Sequence, residues 1–498
     1  MNEFEKKLEN DLVRGVPGKS GGVVDSSWLP AEQLNSSDWS FRDAENRAAG
    51  VVLGYRNGRA FGSTDNRHVL MAVGTRGGKG VSAVVPNLLN YDGSVFAIDP
   101  KGELAAITAG ERRRKGQKVV ILDPYKVSGD AMLGSFNPFD QLDPSSGTLR
   151  EDVAQMADAL IIGSEREPHF TDTARILIGA IILFVLTLPK EDQTLTTVYR
   201  LLAGSHRIIE HIAKGTDGKV KGRAALFKAL EGCTGVYDNA VAGLGANFAQ
   251  MADRELAGVF STALTQLDFL SSDAMASVLK SSDFRLSDLK TGNVTLYLCL
   301  PATRMATHAR WPRVIINLAM IAFERTPKRL PIPVLMVLDE FPVLGHMKSI
   351  ETAAGLMAGF GVKLWVIIQD LGQLESLYPK SWETFIGNTG VSMFWSNSDK
   401  KTLTFLSDKL GQTSVRVEQA NDTTMHQRLA GATGRREELR VQRLAAPNEL
   451  EKMLDRRKRR MLVLAAGESP VILQRILYYE DPPFAGKFGK WQGDADEG

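Results

Sequence analysis

The sequence has few cysteines, almost no net charge and no secretory signal. Two cysteines, Cys233 and Cys299, are too few for the disulfide framework of a small secreted domain and fit a reducing cytoplasm. The 60 Lys and Arg residues nearly balance 58 Asp and Glu residues, so the net charge is +2 and any surface that binds nucleic acid must be local. The N-terminal stretch MNEFEKKLEND is charged and polar, which excludes an ordinary signal peptide.

Long apolar runs are also lacking. The longest, ILIGAIILFVLTL, covers residues 176–188 and is shorter than the roughly 20 residues that a membrane-spanning helix needs. This run predicts a buried core helix, and we expect no transmembrane segment. The 498 residues are enough for a large core and for more than one domain.

Short apolar runs alternate with stretches of helical spacing in both halves of the chain. Such runs are typical of strands that are covered on both faces, and their order favours an α/β fold with a mostly parallel sheet. The predicted strands are 68–73, 95–99, 119–122, 295–300, 334–339, 363–369, 391–397 and 461–466.

The region between the two groups of strands carries apolar residues at three- and four-residue steps and predicts an inserted all-α domain. The polar segment 415–443 is poor in apolar residues and is predicted to be mobile. The expected organisation is an extended lead-in (1–50), a first part of the α/β domain (51–144), the all-α domain (145–290), a second part of the α/β domain (291–484) and a polar tail (485–498).

Residues 71–80, MAVGTRGGKG, partly match the phosphate-binding pattern G-x-x-x-x-G-K-[ST]. Gly78 and Lys79 are in place, but Val73 stands at the first glycine position and Gly80 at the hydroxyl position. The stretch is either a glycine turn with a surface lysine or a nucleotide site. It lies between a predicted strand and a predicted helix (81–90) that Pro86 interrupts, which is the setting that a phosphate loop requires.

In a phosphate loop, glycines let backbone N–H groups turn toward the phosphates, and the helix N-terminus adds partial positive charge. Lys79 would reach the β- and γ-phosphates of ATP. The predicted nucleotide contacts are Gly74, Thr75, Arg76, Gly77, Gly78, Lys79, Gly80 and Val81.

Two later strands end in polar residues. Asp339 and Glu340 follow the apolar run VLMVL, at the edge of an α/β sheet where ligands bind. Asp339 would hold Mg²⁺, directly or through water, and Glu340 would polarise the attacking water. The alternative is that the pair caps a helix. Gln369 ends the next strand and would sense the γ-phosphate, or it simply starts a helix.

The hydroxyl that normally binds Mg²⁺ after the lysine is missing, because Gly80 has no side chain. Ser82 lies two residues further and is expected to point elsewhere, although water could bridge it to a metal. The residues alone therefore favour nucleotide binding over fast hydrolysis.

Several motifs in this order resemble the type IV secretion coupling proteins of the TraG/TraD type. They are VGTRGGKGVSAVVPNLL, VFAIDPKGELAAITAGERRRKGQKVVILDP, SFNPFD, FTDTARILI, SSDFRLSDLKTGNVTLYLCLP, VLMVLDEFPVLG, GFGVKLWVIIQDLGQLESLYP and DKLGQTSV. The resemblance runs from about residue 51 to residue 479, and DPKGE (99–103) is its most distinctive part. The resemblance also implies that glycine is common in this family at the position after the lysine.

The resemblance implies a RecA-like P-loop NTPase domain with an all-α insertion, acting as a Mg-dependent ATPase. It implies a homo-hexamer that recruits relaxase–DNA complexes and secreted proteins to a type IV secretion channel during conjugation. Its expected location is the cytoplasmic face of the inner membrane, reached through a missing or separate anchor.

The sequence departs from the family pattern in two ways. We expect none of the transmembrane helices with which such proteins usually begin. The sequence also has no arginine between Glu340 and Gln369, where some relatives place a finger toward the neighbour's nucleotide. Arg304, Arg310 and Arg313 are the alternatives.

Two other functions share parts of this pattern. One is a nucleotide-binding substrate receptor or adaptor with little hydrolysis, which would use the helical domain and 415–443 for docking. The other is a double-stranded DNA translocase, against which the helical insertion and DPKGE argue. The basic run RRKRR (456–460) could contact DNA phosphates, but a solvated helix end is the expected role.

Overall fold

The computed structural model describes residues 26–30, 33–35, 39–163, 168–327, 330–420 and 435–491. The predicted lead-in, the polar segment 415–443 and the tail lie partly outside these ranges. The described chain forms two compact units. The first contains the residues up to Asn87 together with Ile367–Tyr478, and the second contains Leu88–Val366 and the residues from Tyr479 onward.

The strands of the described chain are numbered in chain order. They are β1 (Val51–Arg56), β2 (Arg59–Ser63), β3 (His68–Val73), β4 (Val95–Asp99), β5 (Lys118–Leu122), β6 (Val294–Cys299), β7 (Val334–Leu338), β8 (Val362–Ile368), β9 (Thr389–Trp395), β10 (Gln412–Ala420), β11 (Arg435–Arg443), β12 (Arg460–Ala465) and β13 (Val471–Gln474).

The α-helices are numbered in the same way. They are α1 (Val85–Asn90), α2 (Glu103–Arg114), α3 (Leu149–Leu160), α4 (Pro168–Val185), α5 (Leu195–Leu202), α6 (Arg207–Gly215), α7 (Arg223–Glu231), α8 (Ala240–Ala249), α9 (Asp253–Leu267), α10 (Asp273–Val278), α11 (Asp288–Thr291), α12 (Ala302–His308), α13 (Arg310–Arg325), α14 (Lys348–Leu356), α15 (Leu371–Leu377), α16 (Trp382–Gly387), α17 (Lys400–Leu410) and α18 (Pro447–Met453).

In the first unit the strands follow the order β2-β1-β13-β12-β9-β3. Strands β3 and β9 are parallel, with Val69 opposite Val391 and Val73 opposite Trp395. The other neighbours in this row are antiparallel. Because β3 and β9 are buried along their whole length, their C-terminal ends provide a rigid base for the loops that follow them.

In the second unit the order is β8-β7-β4-β6-β5, and all four pairs are parallel. Every residue of β4, β6 and β7 is buried, as expected for strands that helices cover on both faces. The prediction from continuous apolar runs is therefore confirmed, and each of the eight predicted strands lies within two residues of an observed one.

Helices α3 to α11 occupy the chain between β5 and β6, and its described residues contain no strand there. Helix α4 packs against α3, α8 and α9. Within the described ranges it is the one helix long and apolar enough to cross a membrane, and 56% of it is buried. It contains most of the apolar run at 176–188, which therefore serves as a core helix of this region.

Some strands were missed by the sequence analysis. Strands β1 and β2 form an antiparallel hairpin whose turn consists of Asn57 (φ +51°) and Gly58 (φ +77°). This is the Asn-Gly signal of a type I′ turn, but β1 does not alternate clearly between apolar and polar residues. The short strand β13 was missed as well.

The polar segment 415–443, which is predicted to be mobile, contains most of two strands that the sequence did not predict. Strands β10 and β11 form an antiparallel ribbon, from the pair Gln412 and Arg443 to the pair Ala420 and Arg435. Residues 421–434 lie outside the described residues. Few residues of the two strands are apolar, so a method based on apolar periodicity does not detect the ribbon.

A buried arginine stabilises the second unit. The Arg112 side chain is fully buried, and its Nε donates to Thr295 Oγ1 (2.8 Å) and its Nη2 to the carbonyl of Gly93 (2.7 Å). Its Nη1 donates to the carbonyls of Leu88 (3.1 Å) and Tyr91. The guanidinium thus joins the end of α1, the following loop and strand β6.

We expect Arg112→Met to lower the free energy of unfolding by about 3–5 kcal/mol, because it leaves buried carbonyl groups without donors. Urea denaturation measures this effect. The matched control is Arg114→Met, since Arg114 is 58% exposed and pairs with Glu111 at the surface, where an ion pair contributes about 0–1 kcal/mol. Equal effects of the two substitutions would contradict the structural role of Arg112.

Candidate nucleotide-binding site

The phosphate-loop candidate follows directly from β3, which ends at Val73. Residues 74–79 form the loop, and Lys79 already has right-handed helical backbone angles. Next comes a wide π-helical turn, Gly80–Val84, in which the Val85 N–H donates to the carbonyl of Gly80, and then α1. The predicted helix 81–90 is thus interrupted one residue before Pro86, which has no N–H to donate.

Two positions of the loop require glycine for different reasons. A Cβ atom at Gly74 would lie 1.8 Å from the carbonyl oxygen of Ser396, so no larger residue fits without moving the backbone that follows β9. Gly78 has φ +72°, which other residues adopt at a cost. These two glycines allow the chain to turn sharply from β3 into the helix.

The loop leaves backbone donors free. Within the described ranges, the N–H groups of Thr75, Arg76 and Gly78 have no acceptor, whereas the Gly77 N–H donates to the carbonyl of Gly74 (3.0 Å). Three free N–H groups ahead of a helix N-terminus can donate to phosphate oxygens. The residues present therefore fit a nucleotide phosphate group.

Gln369 lies at the same loop. It directly follows β8, and its Oε1 is 3.3 Å from Thr75 Oγ1. Its carbonyl accepts from Asn397 Nδ2 (3.2 Å). Asp370, not Gln369, is the N-cap of α15, so the interpretation of Gln369 as a mere helix start does not explain its contact with Thr75.

The carboxylates Asp339 and Glu340 lie in the second unit, directly after β7. Both are half-buried, and Asp339 Oδ1 accepts from the Glu340 N–H (2.9 Å). Glu340 has φ +50°, a left-handed conformation that residues other than glycine seldom adopt and that is concentrated at functional sites. Its side chain forms no capping hydrogen bond to the short helical turn that follows, which argues against the capping alternative.

Asp99 ends strand β4, the neighbour of β7, and is 1% exposed. Its Oδ2 accepts from the Ala105 N–H (2.8 Å) at the start of α2. Burial raises the pKa of Asp99 to about 7, and the charges of Glu103 and Asp339 act in the same direction. The first residue of DPKGE is thus a buried carboxyl group close enough to Asp339 for their charges to interact.

The three candidate finger arginines differ in exposure. Arg313 is 3% exposed and donates to the carbonyls of Ala159, Ile161, Leu344 and His346, so it supports the fold and cannot reach a neighbour. Arg310 is half-buried and donates to Gln266 Oε1 (2.7 Å). Arg304 is exposed, and its guanidinium lies 4.5 Å from the centre of the Tyr125 ring.

Two side chains that no sequence motif indicates contact the loop. Trp395 Nε1 and Arg475 Nη1 both donate to the carbonyl of Gly77, at 2.7 and 2.8 Å. Trp395 belongs to an apolar strand and Arg475 follows a short one, so neither carries a local signal of function. The basic run 456–460 follows α18 as a turn and leads into β12, so it is not the helix end that was predicted, but Arg456 and Arg457 are exposed.

The buried carboxyl of Asp99 predicts a pH-dependent stability. Its pKa rises from 3.8 to about 7 on folding, so between these values the folded state binds a proton that the unfolded state releases. Stability should therefore fall as the pH rises from 4 to 7. Asp99→Asn removes this effect, so the unfolding free energy of the variant relative to wild type should increase over that range and level off above pH 7.

Urea denaturation at pH 4.5 to 8 tests this expectation. The control is Asp143→Asn, because hydrogen bonds from Ser145 lower the pKa of this exposed carboxyl and place its titration below the measured range. A difference between Asp99→Asn and wild type that stays constant with pH would contradict the prediction.

The chain is similar to proteins of conjugative DNA transfer. The family model for type IV secretory system conjugative DNA transfer matches residues 19–494. Conjugal transfer protein TraG of Escherichia coli is 30% identical over 453 residues, 84% of this chain and 68% of TraG. VirD4 of Rhizobium rhizogenes is 27% identical, over 88% of this chain and 63% of VirD4.

Among solved structures, the conjugative coupling protein TrwBdeltaN70 superposes with a TM-score of 0.64 at 15% identity, covering 92% of this chain and 95% of that one. This likeness confirms the expected fold class, a RecA-like P-loop NTPase domain with a mostly parallel sheet and an inserted all-α domain. Together with the match of the family model, it shows that the chain belongs to the type IV secretion coupling proteins of conjugative DNA transfer.

Proposed function

We propose that the chain is the ATPase of a coupling protein, which uses Mg-dependent ATP hydrolysis to drive conjugative transfer. The observation that carries this proposal is the loop after β3, in which three backbone N–H groups and Lys79 lie at the start of a helix. Structures of the relative TrwB contain ADP with Mg²⁺ or the non-hydrolysable analogue ADPNP, which supports the same use of the loop here.

Each predicted site residue has a role in this proposal. Residues 74–81 bind the phosphates of ATP, through the N–H groups of Thr75, Arg76 and Gly78, which have no acceptor in the described part of the chain, and through the Lys79 ammonium. Gln369, placed by its contact with Thr75, senses the γ-phosphate. Glu340 orients the attacking water, and Asp339 holds Mg²⁺ directly or through water. When bound, the metal neutralises charge on the phosphate oxygens.

Gly80 makes the metal site depend on carboxylates. With no hydroxyl after Lys79, Asp339 is the predicted protein ligand. Ser82, whose side chain is 1% exposed, could reach the metal through a bridging water. A slow enzyme that acts mainly as a substrate receptor is therefore the second candidate function.

Membership of the family supports a proposal for the partners of this protein. We propose that the protein works as a homo-hexamer at the cytoplasmic face of the inner membrane, where it presents relaxase–DNA complexes and secreted proteins to the type IV secretion channel. Curated relatives carry the names of conjugal transfer proteins, which supports DNA as one substrate. The exposed residues of the basic run 456–460 offer positive charge to its phosphates.

Substitution of the two central residues tests the ATPase. We expect Lys79→Ala to lower Mg-dependent ATP turnover by at least about 100-fold, because the variant loses charge stabilisation of the transferring phosphoryl group. Glu340→Gln should lower turnover similarly while ADPNP binding persists, because the amide cannot act as a base. Turnover is measured with and without single-stranded DNA.

The matched controls are Lys400→Ala and Glu451→Gln, which change exposed residues of the first unit. Full turnover in Lys79→Ala would show that the site is assigned wrongly. Wild-type protein that binds ADPNP but shows no turnover under any condition would favour the receptor function.

Arg304, which is exposed, is the preferred candidate for an arginine finger toward a neighbouring subunit's nucleotide. We expect Arg304→Ala to leave the unfolding midpoint unchanged and to lower turnover about 1000-fold at concentrations where the wild type assembles, as loss of an arginine finger does. Arg313→Ala should instead lower the free energy of unfolding by about 3–5 kcal/mol, since it leaves four carbonyls without their donor. Undiminished turnover in Arg304→Ala would exclude this residue.

A further inference from the structure

The carbonyl of Gly77 is held by two buried side chains. Trp395 is fully buried and Arg475 is 7% exposed, and their donors lie 2.7 and 2.8 Å from the same oxygen. Two hydrogen bonds fill both lone pairs of a carbonyl oxygen. The orientation of this carbonyl is therefore fixed from the protein interior.

A fixed carbonyl also fixes the next N–H group. In a planar trans peptide the Gly77 C=O and the Gly78 N–H point in opposite directions. The peptide joins two glycines, which lack the Cβ atoms that would otherwise restrict its rotation. With the carbonyl turned toward Trp395 and Arg475, the Gly78 N–H must point away from them, and it has no acceptor within the described ranges.

Arg475 is itself anchored on the opposite side. Its Nη2 donates to the carbonyls of Arg456 (2.7 Å) and Lys458 (3.0 Å), within the basic run 456–460. The backbone N–H of Arg475 donates to the carbonyl of Arg459 (3.1 Å), and Arg459 Nε donates to the carbonyl of Arg475 (2.6 Å). One guanidinium thus connects the phosphate loop to the basic run through two hydrogen bonds, and two more through the Arg475 backbone hold the residue there.

We propose that Arg475 and Trp395 are positioning residues for nucleotide binding, which hold the Gly77–Gly78 peptide so that the Gly78 N–H is presented to a phosphate oxygen. The proposal rests on the proposed function of the loop. Neither side chain touches the nucleotide. Both act through the Gly77 carbonyl, and the backbone of the basic run anchors Arg475 in place.

Three variants test this role. Trp395→Phe keeps the aromatic ring but removes the donor, Arg475→Met keeps length without donors, and Arg475→Lys restores one donor group. We expect the first two to raise the Kd for Mg–ADPNP about tenfold each, as loss of one well-placed hydrogen bond does, and Arg475→Lys to recover part of the loss. The KM for ATP should rise with little change in kcat, because the N–H binds ground and transition states alike.

The double variant gives the sharpest distinction. Because either bond alone still restrains the peptide, the loss of affinity in Trp395→Phe/Arg475→Met should exceed the product of the two single losses. If the two residues acted independently, the change in Kd of the double variant would equal the product of the two single changes. That result would overturn the proposal. The controls are Trp382→Phe and Arg443→Met, which belong to the same unit and bond no atom of the loop.

The remaining outcomes distinguish a failure of the proposed function from a failure of the positioning role. Wild-type protein that binds no Mg–ADPNP would overturn the proposed function and the positioning role with it. Wild-type protein that binds, beside variants of unchanged affinity, would overturn the positioning role alone. A weaker affinity that only matches a smaller folded fraction, measured by the unfolding midpoint, would also overturn it.

Discussion

A phosphate-binding loop depends on backbone N–H groups that have no acceptor within the protein, and folded chains rarely leave such donors unpaired. Here the free donors lie between a fully buried strand, β3, and a helical turn. The loop keeps its shape without using those donors, because Gly74 packs on the Ser396 backbone and the carbonyl of Gly77 bonds to Trp395 and Arg475. The loop is thus held in shape by the close packing of Gly74 and by the Gly77 carbonyl, and the N–H groups of Thr75, Arg76 and Gly78 are not needed for this.

The sequence predicts those parts of the fold in which one local signal dominates. Strands buried on both faces appear as continuous apolar runs, so β3 and β4 were predicted at their observed bounds. The β1–β2 hairpin was missed although Asn57-Gly58 marks its turn, because its strands lack clear alternation. Ribbon β10–β11 depends on pairing between segments that no apolar pattern connects, so its prediction needs knowledge of tertiary structure.

Some residues of the candidate site can be predicted from the sequence, and others cannot. Residues at the ends of apolar strands, such as Asp339 after β7 and Gln369 after β8, can be proposed from the sequence, because α/β sheets bind ligands at the C-terminal ends of their strands. Trp395 and Arg475 lie 318 and 398 residues from the glycine that they hold. Neither the type of residue nor its spacing indicates that contact. Only the folded chain shows which buried donor meets which carbonyl.

The arginines show why burial must be known before a role is assigned. Arg112, Arg313 and Arg475 have the charge expected of a phosphate ligand, yet each is buried and donates to backbone carbonyls of separate segments. A guanidinium suits this role because its five donors radiate in a plane, so one side chain can hold several loops, whereas a lysine presents a single point charge. In a chain with a net charge of +2, cations used inside the fold are not available to DNA. Any contact with nucleic acid would therefore fall to lysines and arginines that remain exposed, such as Arg456 and Arg457.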